Sequence, residues 1–111
     1  MTVREFAKRL SLKVWTGEAG LDREVTGIYV CDLLSWVMSH GKKGDAWITV
    51  HTHLNTVAVA LLLEMPCIIL PEGIEAEEAT VKRAVREGIA ILGSGSSSYG
   101  ICCGAVEAGI T

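Results

Sequence analysis

The stretch Ala46–Gly73, AWITVHTHLNTVAVALLLEMPCIILPEG, constrains the fold more than any other part of the chain. Ala46–Val50 and Cys67–Leu70 are short apolar runs rich in β-favouring residues, as expected of strands buried on both faces of a sheet. Between them Asn55 is placed to cap a helix filled by Val57–Glu64. Two strands joined through a helix lie parallel, with a right-handed crossover. The loop His51–Asn55 then falls at the carboxyl end of the first strand, the edge where open α/β sheets bind ligands.

The flanking sequence extends this unit in both directions. Thr2 and Glu5 form a capping box, and Val3, Phe6, Ala7 and Leu10 make one apolar stripe, which predicts a first helix over Thr2–Leu10. Leu12–Trp15 and Val25–Cys31 read as strands, separated by a Gly-containing loop. Asp32 is placed to cap a helix over Leu33–His40, and Gly41 suits a left-handed residue that stops it. Beyond the central unit, Pro71-Glu72-Gly73 suits a type II turn. Glu75–Glu87 reads as a helix with acidic residues early and basic residues late, complementing its dipole. Ile89–Leu92 is a fifth strand, and Ile101–Ala108 a last helix. Strand and helix alternate with short joints, which predicts an α/β domain with a mostly parallel sheet of about five strands and helices on both faces.

With 111 residues there is length for one domain, able to bury roughly two-thirds of its unfolded surface. The longest apolar run, Val57–Leu63, is far short of the ~20 residues of a membrane helix. No signal-peptide pattern opens the chain, so a cytoplasmic location is expected. A net charge of −3 without a dense basic patch argues against a nucleic-acid partner. Four cysteines without a secretory signal favour reduced thiols. The helix Val57–Leu63 is apolar on every side, and a second protomer covering its outer face, giving a homodimer, is the expected partner.

The framework Asp32-Leu33-Leu34-Ser35, Ala46-Trp47-Ile48-Thr49, Val57-Ala58-Val59-Ala60, Ile68-Ile69-Leu70-Pro71-Glu72-Gly73, Ile91-Leu92 and Ser98-Tyr99 resembles a DRTGG domain over nearly the whole chain. DRTGG domains are related to the N-terminal domain of HPr kinase/phosphorylase. The resemblance implies an α/β fold, dimerisation, and a regulatory or interaction role without catalytic residues of its own. The family's Asp-Arg pair falls where this chain has His51-Thr52-His53, and its Thr-Gly-Gly falls at Pro71-Glu72-Gly73, so only Gly73 of the naming motif is kept. Asp22-Arg23 lies too early to be that motif. HPr kinase activity is excluded for these residues, since no GxxxxGK[ST] phosphate loop stands among them.

Two sets of residues carry candidate chemistry. The loop Gly93–Gly100 follows a strand and precedes a helix, so its amides and the hydroxyls of Ser94, Ser96, Ser97 and Ser98 form a candidate cradle for a phosphate or nucleotide, although it contains no Lys. His51 and His53, two apart on extended backbone, point to one side, and with Cys31 at the same edge they make a candidate metal site or thiol enzyme. Cys67 begins its strand and lies about 15 Å away at the opposite edge. Cys102 and Cys103, like Trp15, Trp36 and Trp47, read as packing residues. The leading expectation is a non-catalytic, dimeric regulatory module with no cofactor, sensing a small anion or docking a protein. Its ligand-binding residues would be His51, Thr52, His53, Asn55, Gly73, Ser94, Gly95, Ser96, Ser97, Ser98 and Tyr99. The alternatives are the metal- or thiol-dependent enzyme using Cys31, His51 and His53, and a purely structural dimerisation unit.

Overall fold

A computed structural model describes all residues, Met1–Thr111. Five helices and five strands follow one another in the order α1 (Val3–Arg9), β1 (Lys13–Val14), β2 (Gly27–Val30), α2 (Leu34–His40), β3 (Asp45–Ile48), α3 (Asn55–Leu63), β4 (Cys67–Leu70), α4 (Glu78–Glu87), β5 (Ala90–Gly93) and α5 (Ser98–Glu107), alternating from β2 onward. They build one sheet in the order β1-β5-β4-β3-β2. β2, β3, β4 and β5 are mutually parallel, and only the two-residue β1 runs antiparallel, against β5. This is the mostly parallel α/β architecture that the alternation of strand and helix implies.

The parallel strands are added in one direction, so right-handed crossovers carry α2, α3 and α4 to the same face. Side-chain alternation makes that face. Trp47, Ile68, Leu70 and Ile91 point to it and pack with Val37 of α2, Val57 and Ala60 of α3 and Ala84 of α4. Ala46, Ile48, Cys67, Ile69, Ala90 and Leu92 point to the other face, which Val3, Phe6 and Ala7 of α1 and Ile101 and Ala105 of α5 cover. Every residue of β4 and β5 is buried, because both strands lie inside the sheet with helices on each side. Thr2 and Glu5 complete the expected capping box on α1.

Several local expectations are corrected. Asp32 does not cap α2; Leu33 holds that position without a side-chain bond. The Asp32 carboxylate instead accepts from Thr49 Oγ1 and Val50 N, both at 2.9 Å, tying the end of β2 to the end of β3. Asn55 is the first residue of α3, not its cap. His53 closes that end, its Nδ1 accepting from Asn55 N at 3.1 Å and its carbonyl from Thr56 Oγ1 at 2.9 Å. Gly41 has φ −64° rather than a left-handed backbone. In the Pro71–Ile74 turn both Glu72 and Gly73 have positive φ, 61° and 71°, with Ile74 N donating to the Pro71 carbonyl at 3.1 Å. That is a type I′ geometry with Pro71 at its first position, not a type II turn. α4 begins at Glu78 rather than Glu75. α5 begins at Ser98 because Ser97 Oγ accepts from Gly100 N, a cap that the glycine-rich sequence obscured.

The tryptophans divide. Trp47 is fully buried and donates from Nε1 to the Cys31 carbonyl at 2.8 Å. Trp36 is not core: it is 53% exposed and stacks on His40. Trp15 is half-buried, with an Nε1 that has no acceptor. Of the apolar helix α3, Val57, Val59 and Ala60 are buried within the chain between α2 and α4, while Leu61 and Leu62 stay exposed. Cys102 is half-buried against the α1–α5 core and Cys103 is exposed, so neither is a fully buried packing residue.

Candidate functional site

The carboxyl edge of the parallel strands gathers the loops after β2, β3, β4 and β5. The chain leaves β4 toward α4 on one face and β5 toward α5 on the other, which makes the gap between these strands the topological switch point of the sheet. The floor of that gap is closed by backbone bonds that continue the ladder. Ser94 N donates to Leu70 O at 2.9 Å, Gly73 N to Ser94 O at 2.8 Å and Glu72 N to Ser96 O at 2.8 Å. Gly73 and Ser94–Ser96 are therefore brought together as expected, but with these amides already paired rather than free to cradle an anion.

Within the β5–α5 loop the hydroxyls have different duties. Ser97 is committed to capping α5. Ser94 Oγ accepts from Ser96 N at 3.0 Å, which leaves its own O–H free to donate. Ser98 and Tyr99 form the first turn of α5, where Tyr99 is 79% exposed. Its hydroxyl pKa is raised, chiefly by the neighbouring Cys103 thiol one turn along.

A cleft opens on each side of this loop, each of about 210 Å³. One is lined by Ser94, Ser96, Gly100 and Gly104 together with Arg9 and Leu10 from the end of α1. The other is lined by Gly73, Gly93, Ser94 and Gly95 together with Lys13 and Trp15 from β1 and its extension. Gly93 lets the Trp15 indole lie close, since a Cβ there would stand 2.8 Å from Trp15 Nε1 and the ring would have to shift. Each cleft holds one cation, Arg9 or Lys13, and neither is in an ion pair. Lys13 Nζ rests 3.8 Å from the Trp15 ring centroid, a cation–π contact that fixes it beside the loop. Each cleft also carries one carboxylate, Glu107 in the first and Glu75 in the second. Sequence reasoning missed Arg9 and Lys13, which lie some eighty residues before the loop; the antiparallel pairing of β1 with β5 delivers Lys13, and Arg9 stands at the end of α1, where Leu10 lies against Gly104 of α5.

The His51–Asn55 loop belongs to neither cleft. His51 Nε2 bonds to the Asp32 carbonyl, and its backbone N donates to Thr49 Oγ1 at 3.3 Å. Thr52 Oγ1 donates to the Glu77 carboxylate, and Thr80 Oγ1 donates to the Thr52 carbonyl at 2.6 Å. The loop thus clasps the β2–α2 connection on one side and the start of α4 on the other. His51 and His53 do not point together, because one reaches to Asp32 while the other folds back on α3. The Cys31 thiol faces the Leu33 carbonyl at 3.8 Å rather than a histidine, so no nucleophile–base pair forms. No group of three or more His, Cys, Asp or Glu side chains is placed to hold a metal ion. Cys67 lies fully buried at the opposite end of β4, as its position in that strand implies.

No family model matches the sequence, and no curated protein matches it. Among solved structures, the chain is similar to the CBS and DRTGG domains of the regulatory region of Clostridium perfringens pyrophosphatase, determined in complex with the activator diadenosine tetraphosphate. The TM-score is 0.73 at 14% sequence identity, over 92% of this chain and 44% of that one, so this chain spans less than half the length of its neighbour. The molecule has a DRTGG-like α/β fold.

Proposed function

We propose that this domain is a non-catalytic regulatory module that binds a small, nucleotide-like anion at the β5–α5 loop. The observation that carries this reading is the pair of unpaired cations, Arg9 and Lys13, that flank Ser94–Ser96 from two clefts. A phosphate has charge for both and accepts from the free Ser94 hydroxyl, while Glu107 and Glu75 suit a ligand that also carries hydrogen-bond donors, as a nucleobase does. The fold likeness to a regulatory region crystallised with a dinucleotide activator supports the same class of ligand. The earlier ligand set narrows to Gly73, Ser94, Gly95 and Ser96, with Arg9 and Lys13 added. His51, Thr52, His53 and Asn55 act as loop-fixing residues in this reading, and Ser97 as a cap.

Calorimetric titration with inorganic phosphate, mononucleotides and dinucleoside polyphosphates tests it. Binding by one of these compounds is expected, and Arg9→Ala or Lys13→Ala is expected to weaken it on the order of tenfold, the scale of one charge-assisted hydrogen bond. No heat with any of them at millimolar concentration overturns the reading. The module is also proposed to dimerise through the outward side of α3, which Leu61 and Leu62 leave apolar. Sedimentation equilibrium should then give a dimer that Leu62→Glu dissociates, and a monomer of the unsubstituted chain at high concentration removes this part.

A further inference from the structure

The edge of the sheet opposite β1 is β2, whose outer side has no strand partner. In a parallel ladder alternate residues face the neighbouring strand. Cys31 N donates to Ile48 O, so the amides of Ile28 and Val30 point outward. A groove of about 710 Å³ runs along this edge. Its floor is Thr26–Tyr29; Trp36 and His40 of α2 form one wall, and Thr111 contributes to the rim. The Trp36 and His40 rings stack at 4.0 Å between centroids and 10° between planes, which gives the wall a fixed aromatic surface. Trp36 and Val30 are 53% and 48% exposed. Natural edge strands are usually blunted by charge, proline or a covering element, and the outward row of β2 has only this open groove beside it.

The charge of the groove is set at one end. Lys42 and Lys43 stand where β2 begins, beside Asp45, the β3 residue paired with Gly27. The Asp45 carboxylate accepts from the Lys42 backbone N at 3.1 Å, not from either ammonium group. Lys43 reaches Glu64 only at 3.8 Å in an exposed pair, and Lys42 Nζ has no ion-pair partner. An occupant of this groove therefore meets free donors along β2, an apolar and aromatic wall, and a cationic end.

We infer that β2 is a docking edge for an extended acidic peptide segment of a partner protein, which adds as a strand beside Gly27–Val30 with its carboxylates at Lys42 and Lys43. Backbone pairing supplies part of the affinity, and side chains on Trp36 and the lysines supply specificity. The inference is independent of anion binding at the β5–α5 loop.

The probe is a blocked heptapeptide of alternating valine and threonine with two glutamates at one end, and its control carries two lysines in their place. Amide hydrogen exchange at Ile28 and Val30 should slow on adding the acidic peptide, and the control should bind on the order of tenfold more weakly at low salt. The double reversal Lys42→Glu with Lys43→Glu should invert that preference, and because both side chains are exposed it leaves folding intact. Val30→Pro removes an outward donor at an edge, where proline is tolerated, and should abolish binding of either peptide. Unchanged exchange at Ile28 and Val30 overturns the inference, as does equal affinity for the two peptides. A dimer of the unliganded chain that Val30→Pro dissociates also overturns it, because a second copy would then occupy the edge.

Discussion

At the scale of single residues, the two tryptophans near the sheet differ in what their indole N–H groups do. Trp47 Nε1 satisfies the Cys31 carbonyl, whereas Trp15 Nε1 has no acceptor and is held over Gly93. Trp47→Phe removes volume from a fully buried site and orphans that carbonyl, so its expected cost is about 2–4 kcal/mol. Trp15→Phe deletes an unsatisfied donor and should stay within about 1 kcal/mol. Urea unfolding of both variants checks the contrast, and equal losses would mean that the Trp15 N–H is paired after all. Residue type alone could not have separated them. Both sit in apolar sequence, and the difference arises from which backbone carbonyl lies within reach after folding. The same holds for His51 and His53: alternation along an extended strand would aim both one way, but the chain has left β3 by Thr49 and each ring follows a separate loop contact.

At the scale of elements, α2 is the least secured helix. It is one of the two shortest helices, its N-cap Leu33 contributes no side-chain acceptor, and Leu33 is 63% exposed with φ −87° and ψ 108°, the extended backbone that capping serine adopts. Leu33→Ser should therefore stabilise the protein by about 1 kcal/mol, read as a raised urea midpoint at unchanged m-value. No gain would show that Asp32 or the loop already satisfies those amides. The expected Asp32 cap fails for an identifiable reason. The ends of β2 and β3 lie side by side in the sheet, and Thr49 Oγ1 and Val50 N present two donors that a local cap would have left unmet. Strands and helices themselves were legible, since burial on both faces gives continuous apolar runs and α4 carries its charges on one side. Their ends were less so, because caps are decided by competition between local and tertiary partners.

For the molecule as a whole, Cys67 couples the centre of the sheet to alkaline stability. Burial is the main cause that pushes its thiol from 9.0 up to about 12, opposed by the charge of Arg23. An unfolded thiol ionises near its ordinary value while the folded one keeps its proton. The contribution is thus fully present below about pH 9 and is lost as pH rises toward 12, at about 1.4 kcal/mol per pH unit. Between pH 7 and pH 10.5 the unsubstituted protein should lose about 2 kcal/mol more stability than Cys67→Ala, the other titrating groups being common to both. Parallel pH profiles of the two proteins would show that the thiol ionises in the folded sheet.

The sequence by itself determined the α/β class and the parallel central strands, because strand burial and helix periodicity are properties of neighbouring residues. Only the tertiary structure decided which side chains stand around the β5–α5 loop. Lys13 shares a cleft with Ser94 because β1 reverses against β5, Arg9 lines the other cleft from the end of α1, and the groove beside β2 exists because β2 ends the sheet. Strand order depends on long-range pairing, and no local pattern in the chain records it.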